Sequence, residues 1–356
     1  MDRRVQTALR EGTVIPAVPL ALHENRTFDE RRQRGLLRYY AAAGVGGIAV
    51  GVHTTQFAIR DSKHGLLEPV LRLAAAVCDE LDRGLEGVRE RPLLRVGGIC
   101  GESAQAVAEA QLLAQLGYHL GLLNLGALKS ASESELVAHC ERVAEVLPVF
   151  GFYLNTAVGG RELPYGFWRS FAEIENVAAI KIACFDRYKT IDCVRAIAES
   201  GREDIALYTG NDDNIVLDLL TPFCFRAGGK WIERRIVGGL LGHWSVWTKR
   251  AVEQFAACRH AVRSGAGATL DLLRLANEVT DSNAAFFDPA HHFAGCIPGL
   301  HTVLANQGLL EGAWCLDPAE QLSPGQKDEI ARVYASYPHL NDDQFVAENR
   351  ERWLTH

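Results

Sequence analysis

The chain has 356 residues, of which 48% are hydrophobic and 23% are charged, and its formal net charge is −7. This length suits one large domain with an appendage or two ordinary domains, and the composition is typical of a globular protein. The negative charge argues against nucleic acid or an anionic membrane as the main partner. The N-terminus has no apolar core and no apolar run reaches about 18 residues, so we predict neither a signal peptide nor a membrane span.

The nine cysteines are scattered, their number is odd, and no Cys-x-x-Cys pair occurs. This pattern predicts neither a disulfide framework nor a zinc ribbon, and we expect a cytoplasmic protein. Adjacent histidines at 291 and 292 lack a third ligand at useful spacing. Asp212 and Asp213 could hold a metal, but they are expected to cap the following helix. The sequence therefore predicts no metal and no cofactor.

Short apolar runs alternate with amphipathic segments over the first 260 residues. The runs predict strands at 13–18, 47–51, 93–99, 120–125, 147–154, 178–183, 205–209 and 235–240. Helices are predicted between them at 27–43, 103–117, 136–146, 188–200 and 214–223, the third preceded by a capping box at Ser132–Glu135. Eight strands alternating with helices predict an α/β fold of the (β/α)8 TIM barrel type.

The strand rhythm stops after about residue 262. Helices are predicted at 269–279, 298–307 and 324–336, and 264–267 is a candidate linker. We therefore predict a barrel domain over residues 1–262 and a C-terminal helical extension over 263–356 that packs on the barrel. The charged tail at 341–356 is expected to dock on the body or on a neighbouring subunit.

A lysine interrupts the sixth apolar run. Lys181 stands where a strand buried on both faces would carry no charge, and burial favours its neutral amine, a nucleophile toward ketones. The alternative is a strand-end lysine whose ammonium reaches solvent. Tyr153 ends the fifth run, and Thr54 and Thr55 follow the second. In a barrel these groups lie at the carboxyl ends of strands and face one site, although Tyr153 could instead be a core residue.

The order and spacing of several short motifs resemble the dihydrodipicolinate synthase / N-acetylneuraminate lyase family of class I aldolases. The motifs are GTVIPAVPL at 12–20, GVGGIAVG at 44–51 followed by Thr54-Thr55, FYLN at 152–155, AIKIA at 179–183, YTGND at 208–212 and Gly238-Gly239. The resemblance covers roughly residues 10–260. It implies a Schiff-base lyase that acts on a 2-oxo acid such as pyruvate, with an aldehyde as a possible second substrate.

The resemblance also implies roles for individual residues. Lys181 would form the imine, and Tyr153 would shuttle protons. Thr54 and Thr55 would bind the substrate carboxylate, and one of the two could relay protons to the tyrosine, a catalytic role we assign to Thr55.

Four further residues are expected to bind substrate. Gly210 and Gly239 match glycines of the family near the site, and Arg161 could meet a distal carboxylate. His243 would lie near the mouth, where it could shape the pocket or pack against the next helix.

One loop departs from the family pattern. The family's Gly-Thr-Thr-Gly-Glu is replaced by His53-Thr54-Thr55-Gln56-Phe57, so both glycines and the glutamate are absent. This change motivates an alternative, a non-catalytic ligand-binding barrel. A metal-dependent barrel lyase or hydrolase is the other alternative. Barrels of this family assemble as homodimers or homotetramers, and we expect the same here.

Overall fold

The computed structural model describes residues 1–83 and 92–355. Its centre is an eight-stranded parallel sheet, and a separate antiparallel hairpin is inserted before the last barrel strand. The barrel strands β1–β7 are Val14–Pro16, Gly47–Val50, Leu94–Ile99, Leu120–Leu123, Val149–Leu154, Val177–Ala183 and Ala206–Thr209; β8 (Phe223–Ala227) and β9 (Lys230–Arg234) form the hairpin, and β10 (Ile236–Leu241) is the eighth barrel strand.

The sheet curls into a nearly closed barrel, in the order β1-β10-β7-β6-β5-β4-β3-β2. Its two end strands meet where the Val18 N–H donates to the Ala49 carbonyl at 2.9 Å, next to a parallel bridge between Ala17 and Ala49. The (β/α)8 barrel predicted from the sequence is therefore confirmed.

Helices surround the barrel and continue after it. Helices α1–α9 are Arg3–Glu11, Glu30–Ala43, Leu67–Arg83, Ser103–Gln115, Glu133–Ala144, Tyr165–Phe171, Arg187–Ser200, Ile215–Leu220 and Thr248–Arg263; α10–α13 are Leu270–Phe287, Cys296–Asn306, Gln326–Ser336 and Asp343–Trp353. Local sequence starts several of them. Ser132 and Glu135 form the predicted capping box of α5, and the Asp186 carboxylate accepts the first N–H groups of α7.

All eight predicted barrel strands are present, with ends that differ by one or two residues. The predicted helices are present as well. No bounds were predicted for helices α1, α3, α6, α9 and α13 or for the β8–β9 hairpin, although a helix was expected after the eighth strand, where α9 lies.

Side chains alternate between the two faces of each barrel strand. On β5, Phe150, Phe152 and Leu154 pack inside the barrel, whereas Val149 and Tyr153 pack outside against the helices. Helix α1 covers the amino-terminal end of the barrel, where the Tyr208 hydroxyl donates to the Leu9 carbonyl at 2.8 Å. Side chains thus fill the barrel interior toward its amino-terminal end, and the pocket around Lys181 lies toward the carboxyl ends of the strands.

The C-terminal helices pack directly on the barrel. Helix α10 packs on α8, and α13 packs on α2, with Trp353 buried. One hydrophobic cluster includes residues of the barrel layer and of α10–α13. The predicted boundary between residues 262 and 263 falls in the last turn of α9 and stays a prediction. His356, at the end of the predicted tail, lies outside the described residues. Among the described helices, none is long and apolar enough to cross a membrane.

Candidate active site

Lys181 points into the barrel near the carboxyl end of β6. It pairs in register with Phe152 on β5 and with Tyr208 on β7. Only 7% of the residue is exposed, and its Nζ lies 4.5 Å from the centre of the Phe152 ring. The structure therefore disfavours the alternative in which Lys181 is a strand-end lysine whose ammonium reaches bulk solvent.

A small pocket lies around this amine. Its lining is Ala17, Val52, His53, Thr54, Phe152, Leu154, Val158, Lys181, Ala183, Phe185, Gly210, Asp212, Gly242, Phe287, Phe293 and Cys296. The cavity measures about 40 Å³, room for roughly three water molecules, since one water needs about 10–15 Å³ of such space. A 2-oxo acid larger than this space displaces side chains at the mouth as it binds.

Burial and one neighbouring carboxylate govern the charge of Lys181. Burial lowers its pKa below the ordinary lysine value, and the negative charge of Asp212 partly opposes this change. Burial raises the pKa of Asp212, and the positive charge of Lys181 opposes that change in turn. No direct ion pair between the two is present in the described structure. The arrangement brings a deprotonatable amine and a protonatable carboxyl into one pocket near neutral pH.

The backbone holds Asp212 in place. Its Oδ1 accepts the backbone N–H of His243 at 2.9 Å. The sequence suggested that Asp212 caps the following helix. Instead, Asn214 occupies the N-cap position of α8, and Asp212 lies in the pocket.

His53 is a second ionisable group beside the amine. Burial, with a smaller contribution from the positive charge of Lys181, lowers the pKa of His53 to about 4. The imidazole is therefore neutral at neutral pH and can donate or accept a hydrogen bond.

The two threonines of this loop differ in position. Thr54 lines the pocket, and its hydroxyl has no hydrogen-bond partner among the described residues. Thr55 does not line the pocket. Its hydroxyl donates to the Val18 carbonyl at 2.7 Å and accepts the Gly51 N–H at 3.0 Å. Thr55 therefore fixes the loop, and its expected contact with substrate stays a prediction.

The same loop contains a residue with a positive φ angle that is not a glycine. Gln56 stands where the resembled family has its second glycine, yet its φ is +68°. Its side-chain Oε1 accepts the backbone N–H of Leu316 at 2.6 Å. A long-range contact thus supports a backbone conformation that the sequence alone made doubtful.

Tyr153 does not reach the pocket, which corrects its expected placement at the shared site. Its ring packs on Trp168 outside the barrel. Its hydroxyl donates a long hydrogen bond of 3.4 Å to the Glu162 carboxylate and accepts one of 3.5 Å from the Leu163 N–H. The inward neighbours are Phe152 and Leu154. The family has its tyrosine directly before asparagine, whereas here Leu154 precedes Asn155. A displacement by one residue places a side chain on the opposite face of a strand.

Arg161 and Gly239 are also absent from the pocket lining. The Arg161 guanidinium donates to the carbonyls of Leu128 and Ala131, so it holds the loop after β4. Gly239 lies within β10, where an added Cβ would stand 2.6 Å from the ring of Trp244. Both residues make structural contacts here, and their expected contact with substrate stays a prediction.

Gly210 does line the pocket, because Lys181 passes directly over it. An added Cβ there would lie 2.4 Å from Lys181 Cε and 2.7 Å from Ala183 Cβ. His243 lies behind the lining, with its ring stacked on Phe286 at 5.7 Å. Of the two roles open to it, packing is the one that the structure shows, together with its N–H bond to Asp212.

Several pocket residues were not predicted as site residues. Asp212 has a local signal, since it follows the end of β7. Phe287, Phe293 and Cys296 come from α10–α11 and their connection. No motif marks them, because a loop far along the chain brings them to the barrel mouth.

One group of possible metal ligands occurs among the described residues. His23, Asp29 and Glu311 have ligand atoms within 4.8 Å of one another. None of the three lines the pocket around Lys181. The metal-dependent alternative therefore gains no support at this pocket.

Comparison with known proteins gives a clear result for the fold. No protein-family model matches the sequence, and no curated protein does. The chain is similar to a chloride-inhibited dihydrodipicolinate synthase of Acinetobacter baumannii complexed with pyruvate, at a TM-score of 0.72 and 16% identity, over 92% of this chain and 99% of that one.

Two further structures are similar to the same extent. One is the dihydrodipicolinate synthase of Bacteroides thetaiotaomicron, at a TM-score of 0.69 and 15% identity, over 91% of this chain and 98% of that one. The other is the N-acetylneuraminate lyase of Fusobacterium nucleatum complexed with pyruvate. Its TM-score is 0.69 and its sequence identity is 14%, over 93% of this chain and 99% of that one. The resemblance inferred from the motifs is thereby confirmed at the level of the fold.

Proposed function

We propose that this protein is a class I lyase that forms a Schiff base between Lys181 and a 2-oxo acid. One observation carries the proposal: a buried lysine near the carboxyl end of β6 shares a small pocket with a buried carboxyl group. The pyruvate complexes of two structurally similar proteins support the choice of a 2-oxo acid.

Imine formation uses the neutral amine. The Lys181 nitrogen lone pair attacks C2 of the 2-oxo acid, and the carbonyl oxygen takes up a proton to give a carbinolamine. A second proton lets this oxygen leave as water, and a protonated imine remains. The lowered pKa of Lys181 keeps a larger fraction of the amine neutral than a solvent-exposed lysine would have.

The protonated imine accepts the electron pair released when a bond breaks. In aldol cleavage, a base removes the proton of the C4 hydroxyl and the C3–C4 pair becomes the C2–C3 double bond of an enamine. The aldehyde departs, C3 is protonated, and water releases the shortened 2-oxo acid. Condensation is the reverse. Dehydration removes a C3 proton and expels the C4 hydroxyl group.

We assign the proton transfers to Asp212 in place of Tyr153. Asp212 lines the pocket and its pKa is raised, so it can accept and return a proton near neutral pH. The free hydroxyl of Thr54 is the group that we assign to the substrate carboxylate.

Borohydride reduction in the presence of pyruvate tests the proposal. We expect a stable adduct on Lys181 by intact mass and peptide mapping, and none in Lys181→Ala. The control is Lys189→Ala, which changes a lysine that pairs with Glu162 at the surface. Absence of any adduct from folded protein, over a panel of 2-oxo acids, would contradict the proposal.

The pH profile tests the role of Asp212. The Asp212 charge raises the pKa of Lys181, so in Asp212→Asn the pH midpoint of adduct formation should move down. Cleavage should slow by about 10²–10⁴-fold, because the acid–base group is gone. Asp271→Asn, at an exposed position of α10 where the carboxylate pairs with Arg274, should change neither quantity appreciably. An unmoved midpoint with full turnover would remove Asp212 from the mechanism.

A non-catalytic ligand-binding barrel is the second candidate. The outward position of Tyr153 favours it, because the resembled family assigns proton transfer to that residue. This candidate predicts that a 2-oxo acid shifts the melting temperature of both the wild type and Lys181→Ala, without a borohydride adduct in either.

The assembly remains a prediction from the resemblance, and the location remains a prediction from the cysteine pattern and the N-terminal sequence. We propose a cytoplasmic homodimer or homotetramer. Light scattering coupled to size exclusion would give the number of subunits, and a monomer at micromolar concentration would contradict the expected assembly.

A further inference from the structure

Two phenylalanines from distant parts of the chain meet at the pocket mouth. Phe185 follows β6, four positions after Lys181, and Phe293 lies between α10 and α11. Their ring centres are 5.5 Å apart with an angle of 58° between the planes. Both rings line the pocket and both are partly exposed. They form an aromatic pair between the reactive lysine and solvent.

Both members of this aromatic pair have left-handed backbones. The φ angles are +53° at Phe185 and +65° at Phe293, a conformation that bulky residues rarely adopt. The Phe185 N–H donates to Asn211 Oδ1 at 3.0 Å, and the Phe293 N–H donates to the Asp288 carbonyl at 2.9 Å. Surrounding structure therefore fixes an unfavourable backbone that directs two aromatic rings at the pocket.

The remaining outer lining is also apolar. Leu154, Val158 and Phe287 complete the wall. The polar lining side chains are His53, Thr54, Lys181, Asp212 and Cys296. In the proposed function, Lys181, Thr54 and Asp212 bind the 2-oxo acid group or transfer protons. Only the neutral imidazole of His53 and the weakly hydrogen-bonding thiol of Cys296 then remain, among these polar lining side chains, to bind the rest of the substrate.

A substrate too large for the cavity of about 40 Å³ contacts the aromatic pair and loosens its ring–ring contact, because both rings line the pocket. An apolar substituent can replace the lost ring–ring contact with new contacts to both rings. A polyhydroxylated substituent cannot, and each hydroxyl buried without a partner lowers affinity by about tenfold.

We propose that the pocket selects 2-oxo acids with an aromatic or other apolar substituent, and that Phe185 and Phe293 are the residues that select it. The inference rests on the proposed function. The corresponding aldol partner is an apolar aldehyde such as benzaldehyde.

Two cleavage substrates test this selection. One is 4-hydroxy-2-oxo-4-phenylbutanoate, and the other is a six-carbon 2-oxo-3-deoxy sugar acid. Each is a 4-hydroxy-2-oxo acid that yields pyruvate, so release of pyruvate measures both. We expect kcat/KM to be at least about tenfold higher for the phenyl compound.

Phe293→Asn tests the residue. Asparagine accepts a left-handed backbone, so the variant should fold while losing the aromatic surface. We expect the ratio of kcat/KM between the two substrates to fall by about tenfold or more. His292→Asn is the matched control, because His292 is adjacent, exposed and has a φ of +54° but does not line the pocket. It should leave the ratio unchanged.

The outcomes separate this inference from the proposed function. A Lys181 adduct with pyruvate, combined with equal or faster cleavage of the sugar acid, would overturn the selection and leave the lyase intact. The same adduct without any cleavage of the phenyl compound would also overturn it. Failure to trap any 2-oxo acid on Lys181 would remove the proposed function and this inference with it.

Discussion

At the residue scale, the reactive centre depends on the absence of one side chain. Gly210 leaves the space through which the Lys181 side chain reaches the pocket. Glycine is needed here for close approach and not for its backbone freedom, since its φ is not among the positive values. The position of the amine is thus determined by two strands, β6 and β7, and by no single motif.

Gly210→Ala is therefore expected to displace Lys181. A Cβ 2.4 Å from Lys181 Cε forces the side chain to move, and the rate of pyruvate adduct formation should fall by about tenfold or more. The free energy of unfolding should fall by about 1–3 kcal/mol. Borohydride trapping over time and urea unfolding give the two quantities.

Gly166→Ala is the matched control for this substitution. Gly166 is exposed in α6, and the nearest group to an added Cβ is the flexible end of Glu133 at 2.9 Å. Because alanine favours a helix over glycine, stability should stay level or rise by up to about 1 kcal/mol. An unchanged adduct rate in Gly210→Ala would mean that the amine is not held as described.

At the scale of the element, the orientation of β5 decides which of its side chains face the pocket and which face the surrounding helices. The strand was predicted correctly as an apolar run, but a continuous apolar run shows no alternation. Because the two faces of β5 have similar sequences, the sequence of the strand does not show on which face Tyr153 lies. The register between β5 and β6, in which Phe152 pairs with Lys181, shows that Phe152 and not Tyr153 faces the pocket.

Tyr153→Phe should accordingly have little effect on chemistry. The lost hydroxyl makes only contacts of 3.4 and 3.5 Å, so the free energy of unfolding should change by no more than about 1 kcal/mol. The rates of adduct formation and of cleavage should stay within about twofold of wild type. A loss of cleavage by tenfold or more would contradict the outward orientation of Tyr153 and would restore its predicted role.

At the scale of the whole molecule, a buried carboxylate joins the barrel helices to the C-terminal helices. Asp342 accepts the Tyr39 hydroxyl at 2.7 Å, the Lys249 N–H at 2.9 Å and the Gln307 amide at 2.8 Å. These partners come from α2, α9 and the end of α11. Together with the shared hydrophobic cluster, this contact predicts that barrel and extension unfold together.

Asp342→Ala should therefore destabilise the entire chain. Three donors lose their acceptor in a buried place, which should lower the free energy of unfolding by about 2–4 kcal/mol. Urea unfolding followed by far-ultraviolet circular dichroism and by tryptophan fluorescence should give one coincident transition. Glu348→Ala, at an exposed position of α13, should leave stability unchanged. Two separate transitions would show that residues 263–356 form a unit of their own.

The sequence by itself determined the eight barrel strands, eight of the helices and the central lysine. Apolar periodicity, capping residues and the charge within the run 177–183 are local properties, so eight strands, the barrel and Lys181 could be predicted from them. Only the tertiary structure decided which face of β5 meets the lysine. It also decided that Asp212 is the nearby carboxyl and that Phe293 and Cys296 reach the mouth. These facts depend on strand register and on packing between distant segments, which no local pattern encodes.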